Sequence, residues 1–97
     1  MSELIQYLET TKQFIVDNFL FGDGAKIAND TPLFEKGIID STGVLELVAF
    51  LEENYHLKIK DEELIPENLD SIKNISNFVK GKIRDLTEEP SIEVLLQ

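Results

Sequence analysis

Apolar residues recur at helical spacing in three stretches of the chain. In the middle stretch, Val44, Leu47, Val48, Leu51 and Tyr55 follow the i, i+3, i+4, i+7, i+11 register of a helix lying on a core. Thr42, Glu46, Ala49 and Glu53 occupy the opposite stripe, so this helix has one buried face and one acidic face. Leu4, Leu8, Ile15 and Phe19 predict an opening helix over about residues 3–20, in which Thr10 and Thr11 lower the propensity without breaking it. Ile72, Ile75, Phe78, Val79 and Ile83 predict a last main helix over about residues 71–86, where Gly81 costs up to about 1 kcal/mol relative to alanine.

The connections carry their own signals. FGDG at 21–24 ends the first helix, because glycine supplies the positive φ that a helix stop requires. A long connection then runs to Ile39, and within it Asp30 or Thr31 followed by Pro32 reads as a single helical turn that lowers Leu33 and Phe34 onto the core. His56 to Lys60 forms a short link with Leu57 and Ile59 pointing inward, followed by a brief third helix at DEEL, 61–64, which Pro66 stops. A helix that short depends on tertiary packing, since nucleation costs more than its few hydrogen bonds return, and it is the natural movable wall of the fold. The expected class is all-α: three principal helices and one short third helix in a four-helix bundle. Residues 87–97 form a C-terminal tail, flexible or a short helix, with Ile92, Leu95 and Leu96 at i, i+3, i+4 spacing.

The candidate chemistry lies in GIIDSTG at 37–43. With Asp40 as N-cap, its carboxylate accepts an N–H of the first turn and Ile39 staples against Val44, leaving Ser41 at the first helical position with no structural duty. A free hydroxyl at the positive end of a helix is well placed to carry a phosphate, favoured there by roughly 0.3–1 kcal/mol. Taken alone, an Asp–Ser pair at a helix start is usually a cap. The chain holds a control in Asp70 and Ser71, which lack the preceding glycine and apolar pair and open a helix bearing Lys73, Lys80, Lys82 and Arg84; that pair reads as a cap only.

LFEKGIIDSTGVLELVAFLEENYHLKI resembles the acyl carrier proteins, whose signature is a D-S pair after a glycine and two apolar residues, opening an acidic second helix. The resemblance covers about residues 4–83 and implies an acyl carrier domain at 1–86. It further implies that Ser41 is esterified to 4'-phosphopantetheine, taken from coenzyme A by a phosphopantetheinyl transferase, with Asp40 beside it. The arm's thiol would hold an acyl or aminoacyl cargo as a thioester, making the protein a carrier and not an enzyme. Glu46, Glu52 and Glu53 match acidic positions of the family's recognition helix and, with Thr42, Leu45 and Ala49, are the expected partner-binding residues. Fatty-acid-synthesis carriers usually have an apolar and then an acidic residue where this chain has Thr42 and Gly43. D-S followed by an uncharged residue and glycine is similar to the stand-alone carriers, D-alanyl carrier proteins among them, that an adenylating ligase loads. Gly43, lacking a side chain, is expected to let a partner or the arm approach the backbone closely.

Composition narrows the alternatives. Ninety-seven residues at 42% hydrophobic content suit one domain folding alone, expected to be a monomer. With no cysteine, any thiol chemistry is imported on a prosthetic group. A net charge of -10 disfavours nucleic acid and anionic lipid. Eight acidic residues against two lysines between Asp40 and Glu67 call for ligases or synthases with basic docking surfaces, where complementarity speeds and selects encounters. No stretch approaches a membrane span or a secretory leader, so cytoplasmic residence is expected. The lone His56 falls about 22 Å along the helix from Ser41, too far to act as its base, and Asp17, Asp23 and Asp30 lack calcium-loop spacing, so no metal is expected. The alternative function is a non-catalytic acidic helical interaction domain in which Ser41 merely caps its helix.

Overall fold

Helix α1 spans Ser2–Phe19 and α2 spans Ser41–Tyr55. A 3-10 turn at Asp61–Glu63 follows, then the short α3 at Pro66–Leu69 and the long α4 at Ile72–Leu96. The computed structural model describes the backbone of residues 2–20 and 27–96 and the side chains of 4–20 and 27–85; the expected FGDG stop lies outside the described residues. Every regular element among the described residues is helical, as the spacing of apolar positions required.

Helices α1 and α2 run antiparallel, because their aromatic contacts pair in reverse order. Tyr7 meets Tyr55 edge-on at 5.4 Å, Phe14 stacks on Phe50 at 4.2 Å, and Phe19 lies against Gly43 in the first turn of α2. Helix α4 packs on both α1 and α3. The predicted stripes meet in one core: Ile15, Leu47, Leu51, Leu69, Ile72, Ile75 and Val79 are wholly buried.

The long connection is pinned, as expected of a turn starting at Pro32. Lys36 N–H donates to the Pro32 carbonyl at 3.0 Å, Leu33 is fully buried, and Phe34 packs partly buried against the core. What holds this loop is Asp70, whose carbonyl accepts the Leu33 N–H at 2.7 Å and whose Oδ1 accepts the Phe34 N–H at 2.9 Å. Asn29 adds a third tie, its carbonyl accepting Lys73 N–H.

Two expected boundaries are corrected. Pro66 starts the short α3 rather than stopping it, and 61–63 forms only a 3-10 turn. Proline is equally at home at the first helical position, where its missing N–H has no partner to lose. The last helix does not end near Leu86 but continues past Pro90 to Leu96. Between Leu86 and Pro90 stand Thr87, Glu88 and Glu89, with no glycine or asparagine to take the left-handed stop conformation. The side chains of Ile92, Leu95 and Leu96 lie outside the described ones.

Within α4, a Cβ added at Gly81 would meet nothing within 4 Å. Gly81→Ala is therefore expected to stabilise the protein by about 0.5–1 kcal/mol in urea denaturation, through helix propensity alone.

Candidate functional site

The start of α2 is built by the turn before it. Gly37 takes φ +73°, a conformation that suits glycine, and its N–H donates to the Phe34 carbonyl at 3.0 Å. The amides of Ile38 and Ile39 then converge on the Leu33 carbonyl at 2.9 and 3.2 Å, and Ile39 is buried. Asp40 follows in extended backbone, its Oδ1 accepting the Gly43 N–H at 2.7 Å and its carbonyl the Val44 N–H at 2.9 Å. Val44 packs against the cluster that holds Ile39, the arrangement expected of a hydrophobic staple.

Ser41 is left exposed, and its hydroxyl has no hydrogen-bond partner among the described residues. The second Asp–Ser pair behaves differently. Ser71 is 7% exposed and its Oγ accepts the Asn74 N–H at 3.0 Å, so this serine is the cap, while Asp70 ties down the long connection. In the first pair the aspartate caps and the serine is idle; in the second the serine caps and the aspartate is a loop anchor. No acidic side chain lies in the first turn of α2, so only the capping Asp40 offsets the positive end of the helix dipole beside Ser41.

Beside Ser41 opens a groove of about 420 Å³, lined by Phe34, Ile39, Asp40, Val44, Leu64 and Pro66 as well as by Ser41. The segment 61–64, expected to form a wall of the fold, thus contributes Leu64, and Pro66 just beyond it lines the groove as well. That wall is clamped to α4 by Glu63, whose two carboxylate oxygens lie 2.9 and 3.0 Å from Lys82 Nζ. The same carboxylate accepts the Lys60 N–H at 2.8 Å, and the Glu63 carbonyl accepts Asn68 Nδ2 at 2.9 Å.

The Lys82 hydrogen bond first, and the Lys60 amide second, hold the Glu63 carboxyl below its ordinary pKa of 4.5. The folded protein therefore binds this proton less tightly than the unfolded chain. The contribution is complete above the unfolded value and is lost as pH falls through the lowered folded value. Glu63→Gln is expected to cost no more than about 1 kcal/mol at pH 7, the pair being partly exposed, and to flatten the fall in stability below pH of about 4.5 in acid titrations followed by circular dichroism.

On the outer face of α2, Thr42, Leu45, Glu46, Ala49 and Glu53 are all exposed, Leu45 by 64%. Glu52 is placed otherwise: it is half-buried, and its Oε2 accepts the Ile59 N–H at 2.9 Å, holding the link after α2. His56 closes the far end of α2 in left-handed backbone, its N–H donating to the Glu52 carbonyl, so it is not brought to Ser41.

Gly43 corrects one expectation. It is buried, and a Cβ there would sit 2.8 Å from Phe19 Cε1 and 3.3 Å from both Asp40 Oδ1 and Ile39 Cγ2. The space expected to admit a partner or an arm is filled by the end of α1. This contact joins residues far apart in sequence, and no local pattern announces it. The groove residues Phe34, Leu64 and Pro66 were likewise missed as site residues, although Leu64, the one apolar residue of DEEL, was a usable signal.

No protein-family model matches the chain. It is 30% identical over 79 residues to a probable acyl carrier protein, PigG, of Serratia sp. (strain ATCC 39006), covering 81% of this chain and 83% of that one. It is 32% identical over 73 residues to a D-alanyl carrier protein of Streptococcus uberis, covering 73% of this chain and 92% of the relative. An acyl carrier protein of Buchnera aphidicola subsp. Baizongia pistaciae is 38% identical over 55 residues, or 57% of this chain and 68% of that one. An all-helical bundle with an idle serine at the start of its second helix, and relatives of this coverage, together show that the chain belongs to the acyl carrier protein family.

Proposed function

We propose that the chain carries an acyl or aminoacyl group on a 4'-phosphopantetheine arm attached to Ser41 Oγ, and that it is not itself an enzyme. The observation that carries this reading is the exposed, unpartnered Ser41 hydroxyl beside a cap supplied entirely by Asp40. The residues present fit the group. The N-terminus of α2 offsets the charge of a phosphodiester, and the apolar groove of Phe34, Val44, Leu64 and Pro66 offers the base of an arm a surface to lie on. When attached, the arm supplies the thiol that the cysteine-free chain lacks. Asp40 holds the first turn, and so the direction in which Ser41 points. The exposed Thr42, Leu45, Glu46, Ala49 and Glu53, with Glu52 behind them, form the face offered to partners: a phosphopantetheinyl transferase and a loading ligase or synthase with basic surfaces. The carrier unit is assigned to residues 1–86 and 87–97 to an appended segment. Thr42 and Gly43 after the D-S pair, and the likeness to the Streptococcus uberis protein, favour loading by an adenylating ligase.

Coexpression with a transferase followed by intact-mass measurement tests the assignment. Ser41→Ala is expected to lose the added mass of one arm. Ser71→Ala is expected to keep it, at a cost of about 1 kcal/mol in stability from the lost cap. Loss of the arm from Ser71→Ala with retention in Ser41→Ala would overturn the assignment. No added mass on the unsubstituted chain would leave an acidic interaction domain.

A further inference from the structure

A second groove, of about 440 Å³, lies between α1 and α2, and none of the residues of the exposed α2 face lines it. Its aromatic lining is the half-buried Phe14–Phe50 pair, stacked at 4.2 Å with 16° between the rings. Glu9 and Asp17 line it from α1, both exposed, and among the described residues none that lines it is basic. Asp17 is held in place, its two carboxylate oxygens accepting Gln13 Nε2 at 2.9 and 3.0 Å. Eight residues separate the two carboxylates along α1, about 12 Å of helix, with the phenylalanine pair between them. Phe50 lies about 14 Å along α2 from Ser41, so this surface is separate from the modification site.

We propose that this groove docks an arginine-bearing basic segment of a protein partner, with guanidinium groups on the Phe14–Phe50 pair and against Glu9 and Asp17. Charge complementarity selects a cationic occupant, since among the described residues the groove holds carboxylates without a counter-cation, in a chain of net charge -10. Arginine is selected over lysine because its planar, weakly hydrated guanidinium engages a carboxylate through paired donors while packing against the side of the stacked ring pair. Two arginines two helical turns apart match the spacing of the carboxylates.

The test is an amide chemical-shift titration of the full chain with short blocked peptides carrying two arginines two helical turns apart, the same peptide with lysines, and the same with leucines. The expected result is shifts centred on residues 9–17 and 50–54 with the arginine peptide, weaker binding of the lysine peptide and none of the leucine peptide. Glu9→Gln with Asp17→Asn is expected to weaken the arginine peptide about tenfold, while Asp30→Asn with Glu35→Gln, both exposed acidic residues outside the groove and outside the α2 face, leaves it within about twofold. Equal binding of the arginine and lysine peptides, or equal weakening by the two double variants, would overturn the proposal. The measurement uses unmodified protein, so its failure is independent of the assignment of Ser41.

Discussion

Gly43→Val is expected to destabilise the protein by about 1–3 kcal/mol, the usual range for overpacking a filled site. The new Cβ would fall 2.8 Å from the Phe19 ring and 3.3 Å from the capping Asp40 carboxylate, so either α1 moves off α2 or the first turn of α2 loosens. Urea denaturation gives the size of the loss. Phe19→Leu in the same background is expected to recover part of it, because the clash is with the ring itself, and a double-mutant cycle should return a coupling energy above about 0.5 kcal/mol. Strict additivity of the two substitutions would contradict the close approach.

Leu51→Ala is expected to cost still more, about 3–5 kcal/mol. Leu51 is wholly buried where the stripe of α2 meets the common core, and truncation removes both transfer energy and packing. A domain of this size holds about 5–15 kcal/mol in all, so the variant should lie close to its unfolding threshold. Its Tm should fall by at least about 12 °C. A loss below about 1 kcal/mol would mean that α2 does not sit on the core through this face. Because α2 carries Ser41 at its first position, such a result would also remove the framework that orients the serine.

What could be read from the chain follows from range in sequence. The buried stripe of α2, the Asp40 cap and the capping role of the Asp70–Ser71 pair are all decided within a few residues, and each is where the spacing put it, although only the structure shows that Ser71 supplies the second cap. Pro66 misled because proline suits both the residue after a helix and its first position, and only packing of the fully buried Leu69 against the core decides between them. The end of α4 misled because proline discourages a helix without abolishing it when no left-handed stop precedes it. Three features were invisible for a different reason. Asp70 anchoring Leu33 and Phe34, Phe19 filling the space over Gly43, and Lys82 clamping Glu63 each join residues 19 or more positions apart. Glu52 carries a related lesson: its place on the acidic side of α2 gave no sign that one oxygen would hold the Ile59 amide.

The central claim is that Ser41, whose hydroxyl is idle at the start of α2, receives the arm. Purified protein incubated with coenzyme A and a broad-specificity phosphopantetheinyl transferase, then digested and fragmented by tandem mass spectrometry, measures this directly. The predicted result is a single 4'-phosphopantetheine located on Ser41, with the neighbouring Thr42 and the capping Ser71 unmodified. An arm located on any other hydroxyl, or a chain that stays bare while a control carrier in the same reaction is fully modified, would contradict it.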